Sequence, residues 1–379
     1  MNATTRNRAI EWARATIIER PASVRLRTSY GEAPVNRPHV IVEIGAGGVV
    51  GLGEASPLPE FTGETASSIL HVLRERYLDA LTGCDATHIG PIVSHLEHTL
   101  PGNTSAIAAI DMALHDAAGK LLGVPVSTLL GGARRGAIRT VTAMGIDPIP
   151  EAIAQAEESF EAGFRTFKMK VGTDPASDVA RVRAVRRALG AEAVIRIDAN
   201  QGYDPPTAIA VLRQLADCDI EYIEQPVARW NHAGLAHVRR ATGMRVLADE
   251  SLHSVYDALS LIRAEACDLF AIKLIKTGGL ARARQIAGIG EAAGIDCIVI
   301  SPFETQIGSA AGLHLALALP ICRHAHELTV FGSQADMART TVRLEGEILT
   351  PGSATGLGVE SIIEMGQTAK GAGAAVAPS

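Results

Sequence analysis

Six charged residues set the frame of this chain: Lys168, Lys170, Asp198, Glu224, Asp249 and Lys273. From Lys170 onward they stand 28, 26, 25 and 24 residues apart. One strand, one helix and two short connections take up that much chain. Each also closes a short apolar run, in FKMK, VIRIDAN, YIEQP, RVLADES and LFAIK. Few folds repeat strand and helix at this period and end the strands in charge. The parallel (β/α)8 barrel does, and it builds its active site from successive strand ends. The spacing therefore predicts three carboxylates gathered round one point, with amines beside them.

The rest of the chain fits around that series. Residues 9 to 60 read as strands, in WARATIIERP and HVIVEIGAGGVVGLGEASP, where β-branched runs are broken by Gly and Pro. Residues 64 to 130 read as helices, with apolar residues at three-to-four spacing in ETASSILHVLRERYLDALTG and TSAIAAIDMALHDAAGKLLG. This gives an α+β N-terminal capping domain over residues 1–135. LLGGARRG ends it, and strand candidates then alternate with helices over 136–330: RTVTAMG, FRTFKMKVG, AVIRIDAN, EYIEQP, MRVLADES, LFAIKLI, DCIVISP and CRHAHEL. The fold class is α/β, a TIM-like barrel with a cap. Residues 331–379 return to strand and turn character, expected to rejoin the capping domain, before a tail, GAGAAVAPS, that reads as disordered. GAGGVVGLG superficially resembles a dinucleotide fingerprint, but it opens no helix within a βαβ unit and is rejected.

Composition narrows the function. Over 379 residues the formal charge is -6, with no basic run, which argues against a nucleic-acid partner. No apolar stretch approaches the roughly 18 to 20 residues that span a bilayer, and the opening residues lack the apolar core of a signal peptide. Five scattered cysteines, Cys84, Cys218, Cys267, Cys297 and Cys322, form no CxxC pair. They read as reduced thiols of a cytoplasmic protein.

Asp198, Glu224 and Asp249 are the candidate metal ligands. Oxygen donors without Cys or His nearby favour Mg²⁺ or Mn²⁺ over Zn²⁺. Any one of these acids could equally cap a helix or pair with an Arg. Three together without a cation would repel, and at least one would have to be protonated. Strand alternation puts Lys168 and Lys170 on one face, and Lys273, several strands on, should approach from the other side. A lysine beside a divalent cation and a second ammonium has its pKa lowered and can act as a base near neutral pH. Two such bases flanking a metal-bound carboxylate suit removal and return of an α-proton. Asn200, Glu250, Glu304 and Glu327 are weaker candidates for substrate contact or for support of the ligands. Lys276 is expected to be exposed, and His314, His324 and His326 to be structural. PLPEFTGET, 57 to 65, reads as a polar covering segment.

With these residues in hand, the chain resembles the enolase superfamily in its muconate-lactonizing-enzyme subgroup. The segments that carry the resemblance are GLGEASPLPEFTGE, AIDMALHDAAGKLLGVPVSTLLGG, FKMKVG, IDANQGY, IEQP, ADES, IKLIKTGGL and GLGVE. Lysine-base chemistry with Mg²⁺ is the known pattern of that superfamily rather than a product of the spacing. The resemblance implies metal ligation by Asp198, Glu224 and Asp249, with Lys170 as acid/base, Lys168 its partner and Lys273 on the opposite face. It implies capping-domain loops, near 20–35 and 57–65, that cover the barrel mouth and choose a small carboxylate substrate. It also implies a homo-oligomer, often an octamer. Lys273 stands where mandelate-racemase-like members use a His–Asp pair, which argues against their activities.

Within the subgroup, IEQPVARWN, ADESLHSVYDALSL and Glu327 in HELTVFG resemble muconate cycloisomerases, and the Asp-x-Asp of dipeptide epimerases is missing near the eighth strand. SPFETQIG and VRLRTSYGEAPVNRP depart from the cycloisomerase pattern. In the second of these, Arg25, Arg27 or Tyr30 is placed to grip a second carboxylate. The leading expectation is a muconate-type cycloisomerase; the alternative is a two-base racemase or epimerase of an N-acylated amino acid or dipeptide. A Schiff-base aldolase would leave the three carboxylates unexplained.

Overall fold

The computed structural model describes residues 7–21, 26–32, 36–332 and 338–362. The predicted disordered tail lies outside them. The N-terminal part is an antiparallel sheet of β1 (Ile10–Pro21), β4 (Asn36–Ala46) and β5 (Val49–Ala55), with β4 in the centre. A small hairpin, β2 (Arg27–Thr28) and β3 (Gly31–Glu32), projects between β1 and β4. Ala46 pairs with Val49, so the β4–β5 turn is Gly47–Gly48, both left-handed at φ 54° and 77°. This two-residue turn needs two positive φ values, which explains the glycine-rich stretch without any nucleotide.

The sheet packs on the helix Thr104–Leu122. Gly53 lets the two approach: a Cβ there would lie 1.9 Å from the Ala109 carbonyl oxygen. The helix is buried from Ser105 to Gly119 because the barrel covers its other side. Two buried acids on it join the parts. The Asp116 carboxylate accepts from Leu52 N and Leu357 N, and that of Asp111 from Leu280 N. Backbone donors that would otherwise be orphaned in the joint are thereby satisfied.

The barrel begins after β6 (Ile138–Arg139). Its seven parallel strands are β7 (Thr142–Met144), β8 (Thr166–Lys170), β9 (Val194–Asp198), β10 (Ile220–Glu224), β11 (Val246–Ala248), β12 (Leu269–Ile272) and β13 (Asp296–Val299), in that spatial order. The eighth position is far shorter than CRHAHEL suggested. Only His326 and Glu327 make parallel bridges, to Thr140 and Ile300. Arg323 and His324, just upstream, turn their side chains to Asp296 and Glu221, so the segment joins the ladder late. RTVTAMG also divides: its Arg139, with Ile138 before it, lies outside the barrel and pairs antiparallel with Ile348 and Leu349.

β14 (Ala338–Thr340) pairs with β17 (Val359–Ile362), and β15 (Arg343–Glu345) with β16 (Ile348–Thr350). The C-terminal stretch therefore touches β6, just ahead of the barrel, as well as the Thr104–Leu122 helix of the cap.

Side-chain alternation along the barrel strands decides what faces inward. Ile197, Ile223, Ala248, Phe270 and Ile272 belong to the large core under the helices. Tyr222, Leu247, Leu269, Ala271, Ile298 and Ile300 form a small separate cluster in the barrel's interior. Lys168, Lys170, Asp198, Glu224, Asp249 and Lys273 share the inward parity, above that plug. Among the described residues no helix is long and apolar enough to cross a membrane. The five cysteines are free.

Candidate active site

Strand register brings the acids level. Lys170 pairs across β8–β9 with Asp198, and Asp198 across β9–β10 with Glu224. Asp249 follows β11, whose Leu247 pairs with Glu224. Lys273 follows β12 and heads a one-turn helix, Leu274–Thr277. The three acids are fully buried at 0% exposure.

Their charge is met by ammonium groups. Lys168 Nζ lies 2.6 Å from Glu327, 2.8 Å from Glu224 and 3.0 Å from Asp198. Lys170 Nζ donates to Asp198 Oδ2 at 2.6 Å and to Asn200 Oδ1 at 2.9 Å. Lys273 pairs with Asp249 and sits 4.1 Å from the Phe61 ring centroid. Burial opposes the charge of Lys168, but Asp198, Glu224 and Glu327 outweigh it and hold its pKa well up. Lys273 is likewise raised: burial opposes its charge, and Asp249 and Glu224 outweigh it. Lys276, by contrast, is lowered, because burial prevails over the Asp249 charge.

Lys276 corrects the sequence reading outright. It is fully buried, donating to Asp249 Oδ1 at 2.5 Å and to the Asp249 carbonyl at 2.6 Å. The signal lay in IKLIKTGGL: a single helical turn brings position i+3 back onto the face of i, and Gly278 ends that turn in the left-handed region. Gln225 was also overlooked. Its Oε1 accepts from Asp249 N and Ser251 N, tying the turn after β10 to the turn after β11.

The four weaker candidates separate. Glu327 pairs with Lys168. Asn200 bridges Lys170 to Glu250 through Oδ1 and Nδ2. Glu250 also accepts from the Tyr30 hydroxyl at 2.7 Å; burial, then Asp249 and Asp198, push its carboxyl up to about 7. Glu304 is buried beside Glu54 with Oε1 unpartnered, and burial raises its pKa well above the usual carboxylate range. Of the loop residues proposed to grip a second carboxylate, Tyr30 is engaged with Glu250, Arg27 is exposed, and Arg25 lies outside the described residues. His314, His324 and His326 make structural contacts, to Ser127 N, to Glu221 with Asp296, and to Val299 N.

The acid trio fits a divalent cation on its donor chemistry. Neither oxygen of Glu224 has a hydrogen-bond donor; Lys168 is near Oε2 but out of line for one. Burial, then the Asp198 charge, raise the Glu224 pKa, whereas Lys168, Lys170 and their neighbours hold Asp198 low against its burial. A buried carboxylate left in that condition carries a desolvation penalty that a cation would remove. Among the described residues no three acid, histidine or cysteine side chains stand at metal-ligand spacing, because the acid oxygens turn to ammonium groups. Hard oxygen donors of this kind suit Mg²⁺.

Above the layer lies a cavity of about 380 Å³. Lys168, Lys170, Asn200, Lys273 and Glu327 form its floor, and Thr28, Tyr30, Leu58 and Phe61 come from the two loops expected to cover the barrel mouth. Phe303 and Ile300 add an apolar wall.

Comparison with known proteins agrees with this architecture. Residues 14–131 match the mandelate racemase / muconate lactonizing enzyme N-terminal domain, and 151–364 the enolase C-terminal domain-like family. The L-Ala-D/L-Glu epimerase of Bacillus subtilis is 35% identical over 91% of this chain and 92% of its own. The chloromuconate cycloisomerase CbnB of Cupriavidus necator is 34% identical over 84% and 87%. Among solved structures, a dipeptide epimerase from Methylococcus capsulatus complexed with Mg and the dipeptide L-Arg-D-Lys superposes with a TM-score of 0.88 at 35% identity, covering 93% of this chain and 99% of its own.

Proposed function

The chain belongs to the mandelate racemase / muconate lactonizing enzyme family, and from that membership we propose that it is a racemase or epimerase of an N-acylated amino acid or dipeptide, passing the α-proton between Lys170 and Lys273. Family members are enzymes that abstract a proton α to a carboxylate. The observation that carries the finer reading is angular. Lys170 ends β8 and Lys273 follows β12, four positions round an eight-position barrel, so the two ammonium groups face one another across the cavity floor. Each is held by a different acid, Asp198 for one and Asp249 for the other. One base on each side of an α-carbon is what inversion requires.

The cavity supports the same substrate class. Each described cation that lines it already has a partner: the lysines their acids, and Arg37 the Phe303 ring at 3.4 Å. Glu32 and Glu60 stand exposed at the mouth. Beside these two acids an amide or ammonium end is favoured over a second carboxylate.

Asp198, Glu224 and Asp249 would hold a divalent cation, which when bound would polarise the substrate carboxylate and draw off the acid charge that keeps the lysines protonated. Lys170 takes the α-proton from one face and Lys273 returns one to the other, or the reverse. Lys168, buried between Asp198, Glu224 and Glu327, keeps its proton and holds that acid layer in place.

The muconate-type cycloisomerase remains a second reading because of Glu327. It lies against Lys168 within HELTVFG, the segment that resembles the cycloisomerases. One experiment separates the two: a proton NMR time course in D₂O with Mg²⁺, cis,cis-muconate, N-acylated amino acids and dipeptides. Loss of α-proton signals with muconate untouched is the expected result. Loss of the muconate vinyl signals, with deuterium entering a lactone methylene, would overturn it.

A further inference from the structure

We propose that Tyr30 is a positioning residue for Lys170, setting the place of its ammonium group through Glu250 and Asn200; this rests on the two-lysine reading above. The contacts run in series. The Tyr30 hydroxyl donates to Glu250 Oε1 at 2.7 Å, Asn200 Nδ2 donates to the same oxygen at 3.2 Å, and Lys170 Nζ donates to Asn200 Oδ1 at 2.9 Å. Two further contacts tie the hairpin to the same turn. Ser29 Oγ donates to the Asn200 carbonyl at 3.0 Å, and Gln201 Nε2 donates to the Tyr30 hydroxyl at 2.5 Å.

The turn that carries Asn200 needs such support. Asn200 and Gln201 are consecutive non-glycine residues in the left-handed region, at φ 40° and 66°. That conformation is strained and persists only where surrounding contacts hold it. Asp198 Oδ1 holds the Asn200 N–H from below, and the hairpin holds the turn from above. An amide can point its carbonyl at Lys170 only if its NH₂ is taken up elsewhere, and Glu250 takes it. Glu250 in turn is fixed by Tyr30.

Lys273 has no place in this series. It makes no hydrogen bond to any member of the series: it pairs with Asp249 and meets the Phe61 ring, Glu250 acts on it only through its charge, and Phe61 meets Tyr30 only edge to face, with centroids 6.1 Å apart. Removing the Tyr30 hydroxyl while keeping its ring should therefore displace Lys170, which is held through hydrogen bonds, more than Lys273, which feels Glu250 only as a charge. A residue that merely covered the cavity would affect both alike.

Tyr30→Phe tests this in two ways. The first needs no substrate: limited acetylation of the whole protein with acetic anhydride, read peptide by peptide by mass spectrometry. Lys170 labelling should rise several-fold in the variant and Lys273 labelling change by less; equal change at both, a larger change at Lys273, or none at either, overturns the proposal. The second is α-proton exchange in D₂O with Mg²⁺ on whichever N-acyl amino acid or dipeptide the wild type turns over. The enantiomer still exchanging in Lys273→Ala defines the Lys170 face. Tyr30→Phe should slow exchange on that face about tenfold, the loss of one hydrogen bond's worth of positioning, and slow the other face less. Equal slowing on both faces overturns it. A wild type that exchanges none of these compounds counts against the proposed function instead, and the labelling still decides the role of Tyr30.

Discussion

The two ends of the barrel are built from the same kinds of residue and reach opposite outcomes. At the N-terminal end, Arg196 Nε donates to Glu221 at 2.6 Å and Nη1 to the Ala325 carbonyl at 2.8 Å. His324 bridges Glu221 and Asp296, and Arg323 adds a second cation to Asp296. Each charge there has an opposite, and the cluster is closed. At the C-terminal end, only two residues along the same strand from Arg196, Asp198 belongs to a layer in which Glu224, Glu250 and Glu327 retain unpartnered buried oxygens. Buried charge that closes on itself holds a fold together, whereas buried charge left open destabilises it and is retained for chemistry. Substitutions at the two ends should differ accordingly.

The largest contrast should come from Lys170→Met. Loss of a general acid/base costs about 10²–10⁴-fold in turnover, with thermal stability little altered, and α-proton exchange in D₂O reads it. Unchanged exchange would remove Lys170 from the chemistry. Glu224→Gln comes next and should split activity from stability. It withdraws a buried acid without a donor, so the metal-free variant should gain about 1–3 kcal/mol, while the rise in melting temperature expected of the wild type with Mg²⁺ should shrink or vanish. A less stable metal-free variant would show that Glu224 is already satisfied.

Arg196→Met attacks the closed end. It leaves Glu221 with His324 alone at a partly exposed position, so the expected loss is about 1–3 kcal/mol in a urea titration, with turnover retained at 25 °C. Loss of turnover without loss of stability would erase the distinction between the ends. The smallest effect at neutral pH belongs to His326, beside Glu327 but turned away from the mouth. Burial lowers its pKa from 6.5 to about 3. The folded state thus binds the proton less readily than the unfolded state. Its stabilising contribution is fully present above pH 6.5 and is lost as pH falls toward 3. Between pH 7.5 and pH 5 that amounts to about 2 kcal/mol. His326→Asn keeps an acceptor for Val299 N and should flatten this part of the stability profile; an unchanged acid limb would assign it to other groups.

Much of the site was legible because alternation along a strand is a local property. FKMK puts Lys168 and Lys170 on one face whatever the strand packs against, and IDAN, IEQP and ADES each put an acid one step above the apolar plug. The eighth strand was not legible. CRHAHEL has strand-like composition, yet Arg323 and His324 are claimed by Asp296 and Glu221 from other strands. Lys276 was misjudged because its burial depends on the short turn after β12, and the gripping role suggested for Tyr30 gave way to a protein carboxylate.

By itself, the sequence determined which residues end the strands, and hence that three acids and three lysines share one layer. It could do so because strand length, strand period and the βα repeat are set by near neighbours. Tertiary structure alone decided which ammonium group meets which acid, that Lys276 turns inward to Asp249, and that Tyr30 reaches Glu250 from 220 residues away. These contacts arise only when the barrel closes and the capping loops settle on its rim, where partners come from remote parts of the chain and no local periodicity records them.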